Sequence, residues 1–425
     1  MKDYIVEIAN ALQQGKDVIF YTVGSGTFEN IRELKMRFGL LPTAVCDGDT
    51  KKQGRTYKGL EGMSVLSPQE ALKAFSDGIF YITSLDYKYQ IIGYLTEECG
   101  IEPERILNYV PVEKIKSCSF LQKALIYDLD GSMRFCWRNP CPSVLSENRL
   151  NTKKLLNLRN DLIAAIKEGK NPSHEACTEC PQIGEEFYPK LPQSWSVNYF
   201  CQSVCNYKCS YCTLTHIEKL EYGAGRHTLG EMIQACKQEE MLSDSYSVIL
   251  STAGEPLLHP KRKEFYDAFD GAELVINTNG SVYDSDLAEL MEHEKVLLLI
   301  SVDAGTPETY AQTKGVDRYA FDKIRKNLLR YAEASVGIVA LKYLFVPGVN
   351  DNRKDVDGFI QFCEDVEAMF VVISVDYFSM GNITGHVQDA IHYLSTELSE
   401  QNILCVPYTA WETAEYNNII RKLVK

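Results

Sequence analysis

The sequence predicts an α/β protein: a partial (β/α)6 barrel of the TIM type, preceded by a small Rossmann-like α/β domain and a cysteine-rich bridging segment. Three observations carry that prediction. From Trp195 onward six β-rich runs, WSVNYF, YSVILS, ELVINT, VLLLISV, IVALKYLFV and FVVISV, alternate with helical stretches such as LGEMIQACKQEEM, SDLAELMEHE and DKIRKNLLRYAEA. Residues 1–112 show the same alternation on a smaller scale. Between the two, residues 113–194 are weakly periodic, hold several prolines and carry cysteine groups on either side of a helix expected from Asn151 to Glu168. The expected domains are therefore 1–112, 113–194, a barrel over 195–385 and a carboxy-terminal extension over 386–425 that caps the barrel end.

In the first unit, IVEIANAL has helical apolar spacing, DVIFYTVG reads as a buried strand, TFENIRELKMRF as a helix, and PTAVCD and GIFYITS as further strands. The turn after the first strand is Gly24-Ser25-Gly26, with Asp47 about 21 positions on, a spacing that suits a ribose contact. Glu29 replaces the third glycine of the dinucleotide fingerprint and puts an acid near the place a pyrophosphate would occupy. A tight strand-to-helix turn is the favoured reading, with nucleotide binding as its alternative. This stretch is similar to the small domain that precedes the catalytic part of some sugar-modifying acyltransferases, which would imply a nucleotide-sugar.

Bulk composition narrows the function classes. With 425 residues, 45% apolar and 24% charged, the chain has material for two or three cores. A net charge of -14 and a pI near 5.1 argue against a large nucleic-acid surface. No run of about 20 apolar residues is available to cross a bilayer. The opening MKDYIVEIANALQQGKD reads as an amphipathic helix without a signal peptide's basic flank, so a cytoplasmic location is expected. In a reducing compartment, 14 cysteines are better read as metal ligands where clustered and as small buried apolar groups where scattered. Eight of them lie between Cys136 and Cys212, while Cys46, Cys99, Cys118, Cys236, Cys363 and Cys405 stand alone; Cys363, in the helical IQFCEDV, is read as core.

The densest group is SVCNYKCSYC, Ser203 to Cys212, which places Cys205, Cys209 and Cys212 on the loop after the first barrel strand. Sites in parallel α/β sheets gather at that end of the strands. Three thiolates could hold a four-iron cluster with one iron left open, or a structural zinc with His216 as fourth ligand.

The spacing CxxxCxxC, with Tyr211 before the last cysteine, resembles the signature of the radical S-adenosylmethionine (radical SAM) family. The resemblance implies that the three thiolates hold a 4Fe-4S cluster whose open iron takes the amino and carboxylate groups of S-adenosylmethionine. Ser251 to Pro256, STAGEP, is similar to the family's glycine-glycine-glutamate-proline stretch, which implies contacts from Ala253, Gly254 and Glu255 to the cosubstrate's ammonium group. By the same resemblance Ser301 and Asp303, in ISVDAG, would meet its ribose, Tyr211 would lie near its adenine, and Asn279, in INTNG, would add a contact. The likeness runs from about Trp195 to Met380.

What the resemblance implies is a 5'-deoxyadenosyl radical that takes hydrogen from a carbon of a sugar, nucleotide-sugar or peptide, for oxidation or another modification, with a reduced ferredoxin or flavodoxin as electron donor. FCWRNPC and ACTEC supply Cys136, Cys141, Cys177 and Cys180, similar to the auxiliary-cluster segments called SPASM or twitch domains, which usually follow the barrel rather than precede it. A second iron-sulfur cluster is the expectation, with zinc or unliganded thiols as alternatives and Cys201 as a possible substitute for Cys141. The rivals are a zinc-stabilised, non-catalytic nucleotide-binding scaffold and a nicotinamide-dependent dehydrogenase.

Overall fold

The computed structural model describes residues 3–136, 143–145, 150–170, 177, 180, 182–191, 193–201, 203–212, 227–251, 254–269, 272–376, 379, 383–408 and 414–424. The amino-terminal unit is a parallel sheet of β1 (Val18–Tyr21), β2 (Ala44–Cys46), β3 (Val65–Leu66) and β4 (Ile79–Ile82), in the order β3-β2-β1-β4. Every residue of β1 is buried, because layers pack on both faces, and this is why VIFY is continuously apolar. Helices Tyr4–Gln13 and Ser25–Phe38 cover one face.

An antiparallel ribbon of β5 (Val112–Cys118) and β9 (Ile183–Pro189) brackets three short strands, β6 (Ala124–Tyr127), β7 (Ser132–Arg134) and β8 (Ser143–Leu145). The barrel strands follow: β10 (Ser194–Phe200), β11 (Leu242–Ser251), β12 (Glu273–Thr278), β13 (Val296–Ser301), β14 (Ile338–Phe345), β15 (Phe370–Val375) and β16 (Leu404–Pro407). All except the ribbon join one sheet in the order β16-β15-β14-β13-β12-β11-β10-β6-β7-β8, parallel from β16 to β6 and antiparallel beyond.

The six expected strands are β10 to β15, and the sheet runs past both expected boundaries. β6 comes from the segment read as a bridge, and β16 from the segment read as a cap. Both are four-residue runs, ALIY and LCVP, too short to carry a period of their own; parallel pairing to β10 and β15 makes them strands.

Side chains alternate across this sheet. On β13, Val296, Leu298 and Ile300 join the apolar layer that includes Leu287, Ile324 and Leu328 of the barrel helices. On β14, Tyr343 meets Phe359 of helix Arg353–Asp365, with ring centroids 4.5 Å apart. The opposite, inner face behaves differently. Leu297 and Leu299, Ile338 and Ala340, Phe370 and Val372 pack with Ile5, Ile8, Phe28 and Ile31 of the amino-terminal helices.

Polar contacts fix that docking at the amino-terminal ends of the strands. Arg32 donates to the carbonyls of Ser335 and Gly337 (3.1 and 2.9 Å) and to that of Ala334. Lys295, just before β13, reaches Asn30 (2.8 Å) and Glu33 (3.1 Å). Glu29 is fully buried beside Glu273 of β12 and Lys295. Burial pushes its carboxyl well above the usual range, and the neighbouring Glu273 adds to that. The acid that interrupts the glycine fingerprint thus belongs to the contact with the barrel. Among the described residues no helix is long and apolar enough to cross a membrane.

Candidate active site

The loop after β10 carries Cys205, Cys209 and Cys212 at the carboxyl end of the sheet, and two neighbouring segments hold it. On one side the N–H of Glu255 donates to the carbonyl of Val204 (2.8 Å). Gly254 makes this approach possible: a Cβ there would lie 2.4 Å from the Val204 carbonyl oxygen and 2.7 Å from the Ser203 carbonyl carbon. On the other side Lys208 and Ser210 donate to the carbonyls of Lys314 (3.0 Å) and Thr313 (2.9 Å), in the last turn of helix Pro307–Lys314.

Glu255 is nearly inaccessible, and both its oxygens are engaged. Oε1 accepts from Thr278 Oγ1 (2.6 Å) and the Leu257 N–H (3.1 Å), and Oε2 from the Asn279 N–H (2.7 Å). Burial raises its carboxyl and these donors oppose the rise. The glutamate thereby ties the loop after β11 to the end of β12. Asn279 extends the tie, since its amide donates to Asn206 Oδ1 (3.0 Å) and lies 3.9 Å from the Cys205 sulfur, which also accepts the Tyr207 N–H at 3.4 Å.

Beneath the loop sits a buried ionic cluster. Lys314 Nζ is 2.6 Å from Asp303 Oδ2 and 2.6 Å from the Tyr211 hydroxyl, with the lysine and aspartate side chains 1% and 0% exposed. Tyr211 O–H also donates to Asp303. The remaining Asp303 oxygen accepts from the Leu344 N–H (2.7 Å), and the Asp303 backbone has φ 57°, with its carbonyl held by Asn350 Nδ2 at 2.9 Å. Burial, then the Asp303 charge, pushes the Tyr211 phenol well above its usual range. Burial also raises the Cys209 thiol, and the Lys314 charge opposes this.

These contacts bring Asp303 and Tyr211 together, and the Asp303 carboxylate joins Lys314, Tyr211 and β14. Ser301 is half-buried at the end of β13, in register with Lys342 of β14. Ala253, Cys141 and His216 lie outside the described residues. Cys363 is fully buried in its helix, and Cys201 is fully buried at the end of β10.

Sequence reasoning missed two lysines. Lys314 precedes the glycine that ends its helix, and Lys342 is a single cation inside the apolar IVALKYLF. Lys342 pairs in register with Ser301, points to the inner face by alternation with Ile338 and Ala340, and lies 5.4 Å from the Tyr408 ring centroid. Burial lowers its pKa. Among the described residues its amine makes no ion pair.

Among the described residues no three His, Cys, Asp or Glu side chains gather as they would around a single ion. The loop suits a larger, several-iron group: two donors face the Cys205 sulfur, the Lys314 charge stands by Cys209, and the Gly254 cradle fixes the loop from behind.

Residues 199–362 match the family described as the Radical SAM superfamily. The chain is 25% identical over 169 residues to the GTP 3',8-cyclase of Haemophilus influenzae (strain PittEE), a match over 38% of this chain and 47% of that protein, so it spans about half that relative's length. Among solved structures it is similar to Streptococcus suis SuiB bound to precursor peptide SuiA, with 12% identity, TM-score 0.43 and coverage of 68% of this chain and 60% of that one. It is also similar to a radical SAM methyltransferase from Sphaerobacter thermophilus, with 13% identity, TM-score 0.39 and coverage of 80% and 92%. The triplet, the GEP turn and strands β10 to β15 fall within or beside the matched span, so this part of the chain is similar to the Radical SAM superfamily.

Proposed function

We propose that the chain is a radical SAM enzyme in which Cys205, Cys209 and Cys212 hold a 4Fe-4S cluster and S-adenosylmethionine completes it. When bound, that pair supplies a 5'-deoxyadenosyl radical able to remove hydrogen from an unactivated carbon. The protein's own residues do the positioning. Gly254 and Glu255 press the cysteine loop against the end of β12, Asn279 holds Asn206 beside Cys205, and the Lys314–Asp303–Tyr211 cluster anchors the far end of the loop. Gly254, Glu255, Asn279, Ser301 and the ring of Tyr211 border the space for the cosubstrate, with Ala253 assigned by the motif alone. Lys342 gives the chamber a positive charge suited to an anionic substrate group, whether on a nucleotide-sugar or a peptide.

Cys136, Cys177 and Cys180 are proposed ligands of a second iron-sulfur cluster, which would accept the electron left on a substrate radical and so favour oxidation. A reduced ferredoxin or flavodoxin in the cytoplasm is the proposed donor. The observation that carries the reading is the doubly clamped triplet at the carboxyl end of the barrel strands. Anaerobic reconstitution tests it, with iron per chain and dithionite-dependent 5'-deoxyadenosine measured together. Cleavage in the native chain and none in the Cys205→Ala/Cys209→Ala/Cys212→Ala variant is expected; zinc in place of iron would restore the scaffold reading.

A further inference from the structure

Helix Tyr319–Ala332 stands out by charge: in a chain of net charge -14 it carries Lys323, Arg325, Lys326 and Arg330 against one acid, Asp322. Arg325 is spent on Asp365. The other three share a line with Tyr319. Tyr319, Lys323, Lys326 and Arg330 are spaced i, i+4, i+7 and i+11, and all four are exposed, while Phe321, Ile324 and Leu328 face the core. Among the described residues Lys323, Lys326 and Arg330 make no ion pair. Arg330 lies over the Tyr283 ring instead, 3.2 Å from its centroid, and Arg318 over the Tyr319 ring at 5.5 Å. Tyr319 itself is 68% exposed. A helix face that is merely solvated tends to interleave both signs; this one presents a single sign and a bare aromatic ring.

The helix is tied to the cysteine loop at two points. Phe321 packs on the Tyr310 ring, with centroids 5.3 Å apart, and the Tyr310 hydroxyl is 3.2 Å from that of Tyr207, which lies between Cys205 and Cys209. Asn327 donates to the Gly280 carbonyl (2.9 Å), and the next residue, Ser281, accepts from Asn206 (3.0 Å). Lys208 is exposed on the loop itself. Gly315, four residues before the helix, lies so near it that a Cβ there would be 2.5 Å from the Lys208 carbonyl oxygen. The cationic stripe thus runs beside the loop, whose Cys205 is exposed.

We propose that the exposed stripe of helix Tyr319–Ala332, with Lys208 and Arg318, is the docking surface for a small acidic electron carrier of the flavodoxin or ferredoxin type. The inference rests on the radical reading above, which needs one electron from outside: the carrier is oxidised by one electron and the group held by Cys205, Cys209 and Cys212 is reduced by one. An acidic carrier is repelled by a partner of net charge -14 unless a local cationic face offsets that field, and the face that does so here adjoins the place where the electron is needed. Redox encounters are small and steered by charge, so a short stripe suffices without a deep groove. A nucleic acid would call for a broader cationic footprint than one helix face provides.

Calorimetry of the full-length chain with an acidic bacterial flavodoxin tests this and needs no iron. Binding is expected at low salt, with loss on raising the salt to about 0.5 M. Lys323→Glu/Lys326→Glu should weaken it about tenfold, whereas Lys153→Glu/Lys154→Glu, the same charge change on helix Thr152–Lys167, should leave it as it was. In the anaerobically reconstituted enzyme the first variant should lower the ratio of flavodoxin-dependent to dithionite-dependent 5'-deoxyadenosine formation by a similar factor. No binding by the native chain, equal losses in both variants, or capture of a single-stranded oligonucleotide through Lys323 and Lys326 with flavodoxin left free would each overturn the proposal. Flavodoxin binding through these lysines in a chain from which dithionite yields no deoxyadenosine would leave the docking surface standing and sink the enzymatic reading.

Discussion

Two turns at the carboxyl ends of parallel strands, after β1 and after β11, each depend on a glycine, and their surroundings differ. In the amino-terminal sheet, Gly26 lets the turn after β1 close on β4, since a Cβ there would lie 2.4 Å from the Thr83 carbonyl oxygen. Thr22 and Thr27 both hydrogen bond to Thr83 Oγ1, at 2.8 and 2.7 Å. Asp47 accepts from the N–H groups of Val23 (2.7 Å) and Asp49 (2.8 Å) and from Lys52 (3.1 Å). Its carboxylate is consumed by the fold. At the barrel mouth Gly254 performs the same close approach, but to the loop that carries the three cysteines. Glycine spacing reports that backbone segments come close; the partners of the surrounding polar groups decide whether a ligand is received.

The largest effect expected from breaking this contrast comes from Gly254→Val. In a Cys177→Ala/Cys180→Ala background it should abolish iron binding at the triplet without removing a thiol, because the new side chain would displace residues 203–204. Iron analysis checks this. Next is Asp303→Asn, which strands the Lys314 charge in the interior. A loss of about 3 kcal/mol is expected in urea denaturation of the unloaded chain, with weaker cluster retention. If stability held but 5'-deoxyadenosine formation alone fell, Asp303 would face the cosubstrate after all.

Asp47→Asn sharpens the other side. It should cost about 1 kcal/mol and leave binding of a nucleoside diphosphate as undetectable as in the native chain by calorimetry. Native binding that this variant loses would erase the contrast.

The last effect concerns Glu29 and depends on pH. The folded chain keeps a proton there at pH values where the unfolded chain has released it. Below about pH 4.5 both states are protonated and nothing is lost; as pH rises above that, the native state loses ground by about 1.4 kcal/mol for each unit of upward shift. Glu29→Gln should therefore gain stability relative to the native chain as pH is raised from 5 to 8, read by denaturant midpoints.

Much of this was legible because long runs have a period and motifs have a spacing. VLLLISV and IVALKYLFV announce β13 and β14, helix Thr152–Lys167 lies within the expected range, and SVCNYKCSYC locates the site before any fold is known. What remained hidden depends on pairing between distant segments. ALIY becomes a barrel strand only beside β10, and Asp303 becomes an anchor only when Lys314 turns back to it after 11 residues. The inward orientation of Lys342 follows from strand alternation once the helix-covered face is known.

The docking of the amino-terminal helices on the inner face of β13 to β15 has a consequence for solvent exposure. One end of the sheet is covered by another folding unit, held by Arg32 and Lys295. A chain cut after residue 112 would retain every barrel strand and yet bare Leu297, Ile338, Ala340, Phe370 and Val372 to water. With those helices in place, the amino-terminal ends of β13 to β15 are covered, and the cysteine loop lies at the opposite end of the strands.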